Sequence, residues 1–340
     1  MNVGDRTCAA CDCPLDDSVI RVAVGGRPVE VCSSACAEAL SEACVARLPE
    51  RWAMNGRQAA LTVRSIETAS GRISYAEAGS GPAALFVHGA LLNKHLWRHQ
   101  LAGLSDIRRC IAVDLLAHGD TEIEPDQDVS ATANANMLMQ MLDALQIDRI
   151  DLIGNHTGGG IAQIFAALHP QRVCTLTLTN CDTHDHWASA AFRPFLDKAA
   201  AGRLGDALNA TLIDKAIYRS PDGLGLAYER PEEVSDKDIE VYLRPLVRTE
   251  QRTRDLQRFL AAFDPIHTVA VEPRLKQLQV PTLIVWAADD VYFPVRGAYW
   301  LAHTIPGAKP PVELPGARMC FPEERSGLFN LLLRDELLAV

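Results

Sequence analysis

The sequence predicts an α/β fold, in which a doubly wound, mostly parallel sheet carries a helical cap and follows a small cysteine-rich module. Three observations support this prediction. From about residue 61 onward, short apolar runs alternate with helical stretches, as in parallel sheets whose strands are joined by crossover helices. Residues 183–271 contain helical patterns and no convincing strand. Six of the ten cysteines fall within the first 44 residues, so we expect a separate unit over residues 1–50.

Residues 1–50 are predicted to bind a metal. Two short apolar runs flank Gly25-Gly26, which is a hairpin signal, and the second run leads into Cys32 and Cys36 at the start of a helix. The hairpin can bring an earlier cysteine pair close to this later one, and four thiolates close a tetrahedral zinc site. We expect a structural zinc and leave a redox or sensing role open. The expected ligands are Cys8, Cys11, Cys32 and Cys36, with Cys13 and Cys44 as alternatives.

The predicted core covers residues 60–182 and 272–340, and the predicted cap covers 183–271. Strands are expected at 84–87, 110–113, 150–153, 173–179 and 282–286. Cap helices are expected near 188–201, 203–217, 235–247 and 250–263. Because open α/β sheets bind ligands outside the carboxyl ends of their strands, a cap inserted there would lie over the binding site.

Residues that could take part in catalysis lie at the ends of three of these strands. His88 and Gly89 end the first strand at a tight turn, whose amides can bind an oxyanion. His156 stands at the centre of Gly154-Asn155-His156-Thr157-Gly158, between the third strand and an apolar helix. Strand, Gly-x-nucleophile-x-Gly and helix form the pattern of a nucleophile elbow. Asp289 and Asp290 end the fifth strand, where proteins with a nucleophile elbow carry the acid of a catalytic triad.

In these motifs, residues 61–340 resemble α/β-hydrolases of the haloalkane dehalogenase and epoxide hydrolase branch. They are most similar to bacterial hydrolases whose elbow reads Gly-Asn-Asp-Thr-Gly-Gly, and segments 179–185, 298–301 and 321–325 match that group as well. The cysteine-rich unit resembles zinc modules of the YHS and TRASH type. The resemblance implies an α/β-hydrolase fold, no organic cofactor and action on an ester, epoxide, carbon–halogen or carbon–carbon bond of a small, largely apolar molecule.

Two positions depart from the family's pattern. The elbow residue of that branch is an Asp that attacks the substrate carbon, and here it is His156. The branch's base is a His just before the last helix, and here the segment around Cys320 contains none. Neither an Asp nucleophile with a distant His base nor a serine mechanism can be written for this chain. We rank haloalkane displacement lowest, because it requires the carboxylate.

We therefore expect a modified centre on His156, acting as general base, nucleophile or metal ligand. Asp290, or else Asp289, would orient the imidazole. Two alternatives stay open: a non-hydrolytic lyase or cyclase on the same fold, and a catalytically silent ligand-binding or sensor protein. The residues expected to form the oxyanion site or the substrate pocket are His88, Gly89, Ala90, Thr157, Asp114, His184 and Trp97.

The composition and net charge of the chain disfavour some classes of binding partner. The chain has 340 residues and a net charge of −10, with no long basic run, which disfavours nucleic acid and anionic membranes as partners. No apolar stretch has the length of a signal peptide's core or of a membrane span. We expect a cytoplasmic protein with a small-molecule substrate, and the sequence is compatible with a homodimer.

Overall fold

The structure is a computed structural model that describes residues 19–24, 27–31, 61–184, 186–187 and 189–339. Strand β1 (Ile20–Val24) pairs antiparallel with β2 (Arg27–Val31), which confirms the predicted hairpin. The predicted zinc ligands Cys8, Cys11, Cys32 and Cys36, and the alternatives Cys13 and Cys44, lie outside the described residues.

The described part of the main unit is built on one mostly parallel sheet with the strand order β10-β9-β8-β7-β5-β6-β4-β3. The order reverses direction at β5, so the sheet is doubly wound as predicted. Among the described strands of this sheet, only the β3–β4 and β4–β6 pairs are antiparallel. The strands are β3 (Thr62–Thr68), β4 (Gly71–Ala78), β5 (Ala83–Val87), β6 (Arg109–Val113), β7 (Ile150–His156), β8 (Val173–Cys181), β9 (Thr282–Ala287) and β10 (Val312–Leu314).

All five predicted strands are confirmed, as β5 to β9. Every residue of β5, β7 and β9 is buried, because helices cover both faces of a parallel sheet and its strands are continuous apolar runs. Strands β3, β4 and β10 are not predicted by the sequence pattern. The first two form an antiparallel pair before the parallel strands, and β10 is three residues long.

Helices follow most of the strands. Helix α3 begins directly after β7, and α12 lies near the C-terminus. No described helix is both long and apolar enough to cross a bilayer. The helices are α1 (Arg98–Leu104), α2 (Ala131–Ala144), α3 (Thr157–Leu168), α4 (Arg193–Ala200), α5 (Leu204–Ile213), α6 (Ala216–Arg219), α7 (Asp236–Val247), α8 (Glu250–Ala261), α9 (Ile266–Leu275), α10 (Arg296–Thr304), α11 (Phe321–Glu324) and α12 (Ser326–Leu338).

Between β8 and β9 the described residues form helices α4 to α9, and their only β pairing is an isolated bridge between Thr183 and His186. The predicted helices over this stretch are therefore present, and α9 is an addition to them. The segment connects the carboxyl end of β8 to the start of β9. That it forms a separate cap domain stays a prediction.

Candidate active site

The elbow lies at the junction of β7 and α3. His156 is the last residue of the strand and has φ 57° and ψ −135°, a left-handed conformation that is uncommon for a residue other than glycine. Glycines on both sides permit the sharp turn. A Cβ on Gly154 would come within 2.6 Å of the Gly158 carbonyl oxygen, and a Cβ on Gly158 would clash with the carbonyl oxygen of Val87. The chain therefore folds here as the motif predicts.

The imidazole of His156 is bound to the residue that follows it. The main-chain amide of Thr157 donates a hydrogen bond of 2.7 Å to Nδ1 of His156, and the Thr157 Oγ1 lies 2.8 Å from the same nitrogen. Because an amide N–H can only donate, Nδ1 must be the unprotonated nitrogen and Nε2 carries the proton. Within the described residues, no hydrogen bond is made to Nε2 of His156.

Aromatic rings and main chain enclose the imidazole of His156, which is only 3% exposed. The rings of Phe192 and Phe293 meet it edge-on, with centroids 5.5 and 5.1 Å away. Gly89 lies so close that a Cβ at this position would clash with the imidazole. Burial, and to a smaller extent the electrostatic effect of nearby His118, lowers the pKa of His156 to about 3. The imidazole is therefore neutral at pH 7.

Two further buried histidines lie near the elbow and are bound to the main chain. Nδ1 of His88 lies 2.7 Å from the Gly89 carbonyl oxygen, and its Nε2 accepts a 3.1 Å hydrogen bond from the Leu115 amide. His118 lies with its ring centroid 5.3 Å from that of His88. Burial lowers the pKa of both to about 3. The predicted pocket residue His88 thus uses both ring nitrogens to join two loops.

Asp290 follows β9 and is buried. Its Oδ2 accepts a 2.8 Å hydrogen bond from Nδ2 of Asn180, and its Oδ1 accepts a 3.0 Å bond from the Tyr292 amide. Burial raises the pKa of Asp290 to about 6. No hydrogen bond joins Asp290 to His156, whose Nδ1 is bonded to Thr157. The alternative acid, Asp289, is exposed and accepts a 2.6 Å bond from the Gly316 amide.

Asp114 stabilises a turn. One carboxylate oxygen accepts a 2.8 Å bond from the Lys94 amide, and the other accepts a 2.8 Å bond from the Asp120 amide and lies 2.6 Å from the Lys94 Nζ. A Cβ on Gly119 would clash with this carboxylate. The side chain is fully buried and its lone pairs are used, which favours a structural role over one in the substrate pocket.

His184 and Trp97 occupy different surroundings. His184 has φ 48°, lies 2.6 Å through Nδ1 from an oxygen of Glu272 and stacks on Trp300 at 5.3 Å. Trp97 is fully buried and packs against Phe86 at 5.4 Å. Trp97 is thus a core residue, and the structure does not place it at the elbow. Ala90 is buried just after Gly89.

Three residues at the site were not proposed as site residues from the sequence. Asn180 holds Asp290, while Phe192 and Phe293 cover His156. Asn180 lies at the end of β8 with φ 24°, and an asparagine at a strand end is a signal for a positive φ because its side chain tolerates that conformation. The two phenylalanines carry no comparable signal, since aromatic residues occur throughout apolar cores.

No metal site is formed by the described residues, among which no group of three or more His, Cys, Asp or Glu side chains is close enough to hold an ion. His156 and His184 are therefore not parts of such a cluster. Cys320, near the position of the family's missing base, is fully buried, and burial raises its pKa well above the ordinary thiol value. It is a protonated, structural thiol.

Comparison with known proteins supports the same fold. The sequence profile of the alpha/beta hydrolase fold family matches residues 82–324. Bovine (Bos taurus) monoacylglycerol lipase ABHD6 is 24% identical over 233 residues, which are 67% of each chain. A haloalkane dehalogenase of Mesorhizobium japonicum is 39% identical over 105 residues, 31% of this chain and 34% of that one. An alpha/beta hydrolase fold protein from Burkholderia ambifaria superposes with a TM-score of 0.68 at 24% identity, covering 81% of this chain and all of the other.

Proposed function

Because the chain belongs to the alpha/beta hydrolase family, we propose that it is an enzyme that hydrolyses a small, largely apolar molecule at a centre formed by His156 and Asp290. Ester and epoxide bonds are the first candidates, since relatives include a monoacylglycerol lipase and an epoxide hydrolase. A carbon–carbon bond next to a carbonyl is compatible with the same groups. Haloalkane displacement ranks last, because no carboxylate stands at the elbow.

The observation that carries the proposal is the hydrogen bond from the Thr157 amide to Nδ1 of His156. It leaves Nε2 protonated, and burial keeps the ring neutral, with a pKa of about 3. A neutral imidazole with a low pKa can donate a hydrogen bond to a reacting oxygen and stabilise the charge that develops there. His156 would act in this way, and the alternatives of general base and nucleophile lose support because both need an unprotonated Nε2.

Asp290 supplies the base in this proposal. Its pKa is raised to about 6 by burial, so the carboxylate is mostly ionised at pH 7 and is more basic than an exposed one. Asp290 would take a proton from water, whose oxygen then attacks the substrate carbon. With an ester, the carbonyl π bond breaks, and its oxygen gains the negative charge and accepts a hydrogen bond from Nε2–H of His156. The tetrahedral intermediate then collapses, the ester C–O bond breaks, and the leaving alkoxide takes the proton from Asp290. With an epoxide, the ring C–O bond breaks as the water oxygen attacks, and the resulting alkoxide accepts the hydrogen bond from Nε2 and then the proton from Asp290. His156 is the last residue of β7 and Asp290 follows β9, and these two strands flank β8 in the sheet.

The surroundings of His156 support an apolar substrate. Phe192 and Phe293 contact the imidazole, and Tyr292 lies with its ring centroid 6.3 Å from that of Phe192. Aromatic rings exclude water, and a hydrogen bond from Nε2 is stronger in such surroundings than in water. The proposed reaction also needs a water molecule, which Asp290 would hold with its remaining lone pairs.

The hydrogen bond between the Thr157 amide and His156 also supports a second candidate function. In this fold the amide after the elbow residue is one of the expected oxyanion donors, and here the amide of Thr157 is used by His156 itself. With half of that site occupied by the imidazole, a protein that binds a ligand without converting it is the alternative. The lyase or cyclase alternative needs only one positioned donor and one base, and it shares the predictions for His156 and Asp290.

A structural zinc in the N-terminal unit is part of the proposal. The observed hairpin supports it, because β2 ends at Val31, directly before Cys32. Metal analysis of the full chain should find about one zinc per protein, and serine substitutions should remove it. The substitutions would be made at the proposed ligands Cys8, Cys11, Cys32 and Cys36, with Cys13 and Cys44 as the alternatives.

The test is a turnover screen with activated esters, epoxides, haloalkanes and 1,3-diketones. We expect His156→Ala and Asp290→Asn each to lower turnover on the order of 100-fold, the typical cost of losing an oxyanion donor or a general base. His156→Asn is included because asparagine tolerates the left-handed conformation. His303→Ala, at an exposed histidine, is the control and should be unchanged. Equal turnover in wild type and His156→Ala would refute the proposed centre, and no turnover in any protein would favour the ligand-binding alternative.

A further inference from the structure

A cavity of about 270 Å³ lies beside the elbow, at the carboxyl ends of β8 and β9. At roughly 30 Å³ for each water-sized group, it has room for a ligand of roughly nine non-hydrogen atoms. Phe293 forms part of its wall and separates it from His156. The lining residues that matter here are His184, His186, Phe293, Arg296, Gly297 and Trp300.

Arg296 gives the cavity an unpaired positive charge. It is the first residue of α10, its side chain is exposed, and within the described residues its guanidinium makes no ion pair or hydrogen bond. A guanidinium presents parallel N–H donors that match the two oxygens of a carboxylate. The first turn of α10 contains no acidic residue, so the positive end of the helix adds to the same field.

Aromatic faces line the rest of the cavity. Trp300 and His184 stack with centroids 5.3 Å apart and planes 30° apart, and the rings of His186 and Phe293 lie 6.4 Å apart. Flat apolar faces of this kind favour a planar ring over a branched aliphatic group. The cavity thus combines a carboxylate-binding cation with walls suited to an aromatic ring.

Glu272 contacts the cavity residue His184, but its own neighbours compensate its charge. Glu272 lies 2.6 Å from Nδ1 of His184 and 2.6 Å from Nζ of Lys276, and the interaction with Lys276 lowers the pKa of Glu272. Its charge is therefore compensated by its own neighbours. His184 also keeps a left-handed φ of 48°, a strained conformation that the surrounding contacts must maintain.

We propose that this cavity binds a small aromatic carboxylate, with the carboxylate on Arg296 and the ring against Trp300 and Phe293. Binding here needs no reaction at His156, so the inference does not depend on the proposed function. Phe293 would then contact both the ligand and the elbow, because its ring also meets that of His156.

The experiment is a calorimetric titration of the full chain with benzoate, which has nine non-hydrogen atoms, and with the uncharged amide benzamide as its match in size. We expect saturable binding of one benzoate per chain and affinity for benzamide weaker by roughly tenfold or more, as for loss of a charge-assisted bond. Arg296→Gln should weaken benzoate binding by a similar factor. This substitution is at an exposed side chain, and circular dichroism will confirm that the fold is kept.

Two further variants sharpen the test. A Cβ on Gly297 would lie 3.2 Å from both the Thr183 Oγ1 and the Trp286 ring, so Gly297→Ala narrows the cavity and should also weaken benzoate binding. Arg274→Gln removes an exposed arginine near the start of β9, at the opposite edge of the sheet, and should change nothing. Absence of saturable benzoate binding, equal affinity for benzamide, or unchanged affinity in Arg296→Gln would each overturn the proposal.

Discussion

The Thr157 amide donates to Nδ1 of His156 over 2.7 Å, so the imidazole caps the first amide of the helix that it precedes. This one contact fixes the position of the ring proton, because an amide cannot become an acceptor. It also opposes protonation of the ring, since the N-terminus of α3 disfavours a positive charge. The elbow histidine is thereby held as a neutral donor.

The first prediction concerns the protonation state of His156. Nitrogen-15 spectra of the labelled protein should show the Nε2–H tautomer for this residue, unchanged from pH 8 to pH 5, because its pKa is lowered by burial to about 3. Signals absent from His156→Asn identify the residue among the ten histidines. An imidazolium at pH 5, or an Nδ1–H tautomer, would contradict this assignment and restore His156 as a candidate base.

The second prediction is that acid destabilises the fold. Burial lowers the pKa of His88, His118 and His156 to about 3, whereas an unfolded histidine has a pKa of about 6.5. Between these values the unfolded chain binds more protons, so stability is lost as the pH falls below about 6.5. Each histidine adds a slope of at most about 1.4 kcal/mol per pH unit.

The titration of Asp290 opposes the acid-induced loss of stability, so a variant of Asp290 serves as the control. Its folded pKa is raised to about 6, so its contribution to stability is fully present below its ordinary pKa of about 3.8 and is lost as the pH rises through 6. Asp290→Asn should therefore make the acid-induced loss steeper. Urea unfolding at pH 7.5, 6.0 and 5.0 measures both slopes. A wild-type protein that becomes more stable on acidification would show that the histidines are not neutral in the fold.

The third prediction tests whether Asp114 has a structural or a catalytic role. Asp114→Ala removes the acceptor of two amides and the buried partner of Lys94, and should lower the free energy of unfolding by about 3 kcal/mol. Asp120→Ala removes the exposed partner of the same lysine and should cost less than about 1 kcal/mol. Urea unfolding gives both values. If Asp114→Ala instead abolished turnover at unchanged stability, Asp114 would belong to the active site.

The parallel strands and the elbow could be predicted from the sequence because their signals are local. The apolar runs of β5 to β9 and the glycines around His156 each lie within a few adjacent residues. The antiparallel strand β3 was not predicted because its sequence carries no such local signal. β3 has only two apolar residues, Val63 and Ile66, among polar ones and is largely exposed, so it lacks the continuous apolar run that identified the buried strands.

The partners at the site could not be predicted, because they depend on distant parts of the chain. Asn180 and Asp290 are joined by a hydrogen bond although 110 positions separate them. Phe192 reaches His156 from the helical segment after β8. The bond between His156 and Thr157 joins adjacent residues, yet it exists only at the dihedral angles that the elbow imposes on them.

The two edge strands of the sheet, β3 and β10, affect how readily this protein aggregates through strand pairing. β3 pairs with β4 on one side and carries Arg64 and Glu67, although Val63 on the same strand is 61% exposed. If a second copy added its own β3 parallel and in register, Arg64 would face Arg64 and Glu67 would face Glu67, and such like-charge pairs are destabilising. At the other end, β10 offers only three residues for pairing. The charges of β3 therefore disfavour parallel, in-register addition of a second copy, and β10 offers only a short edge.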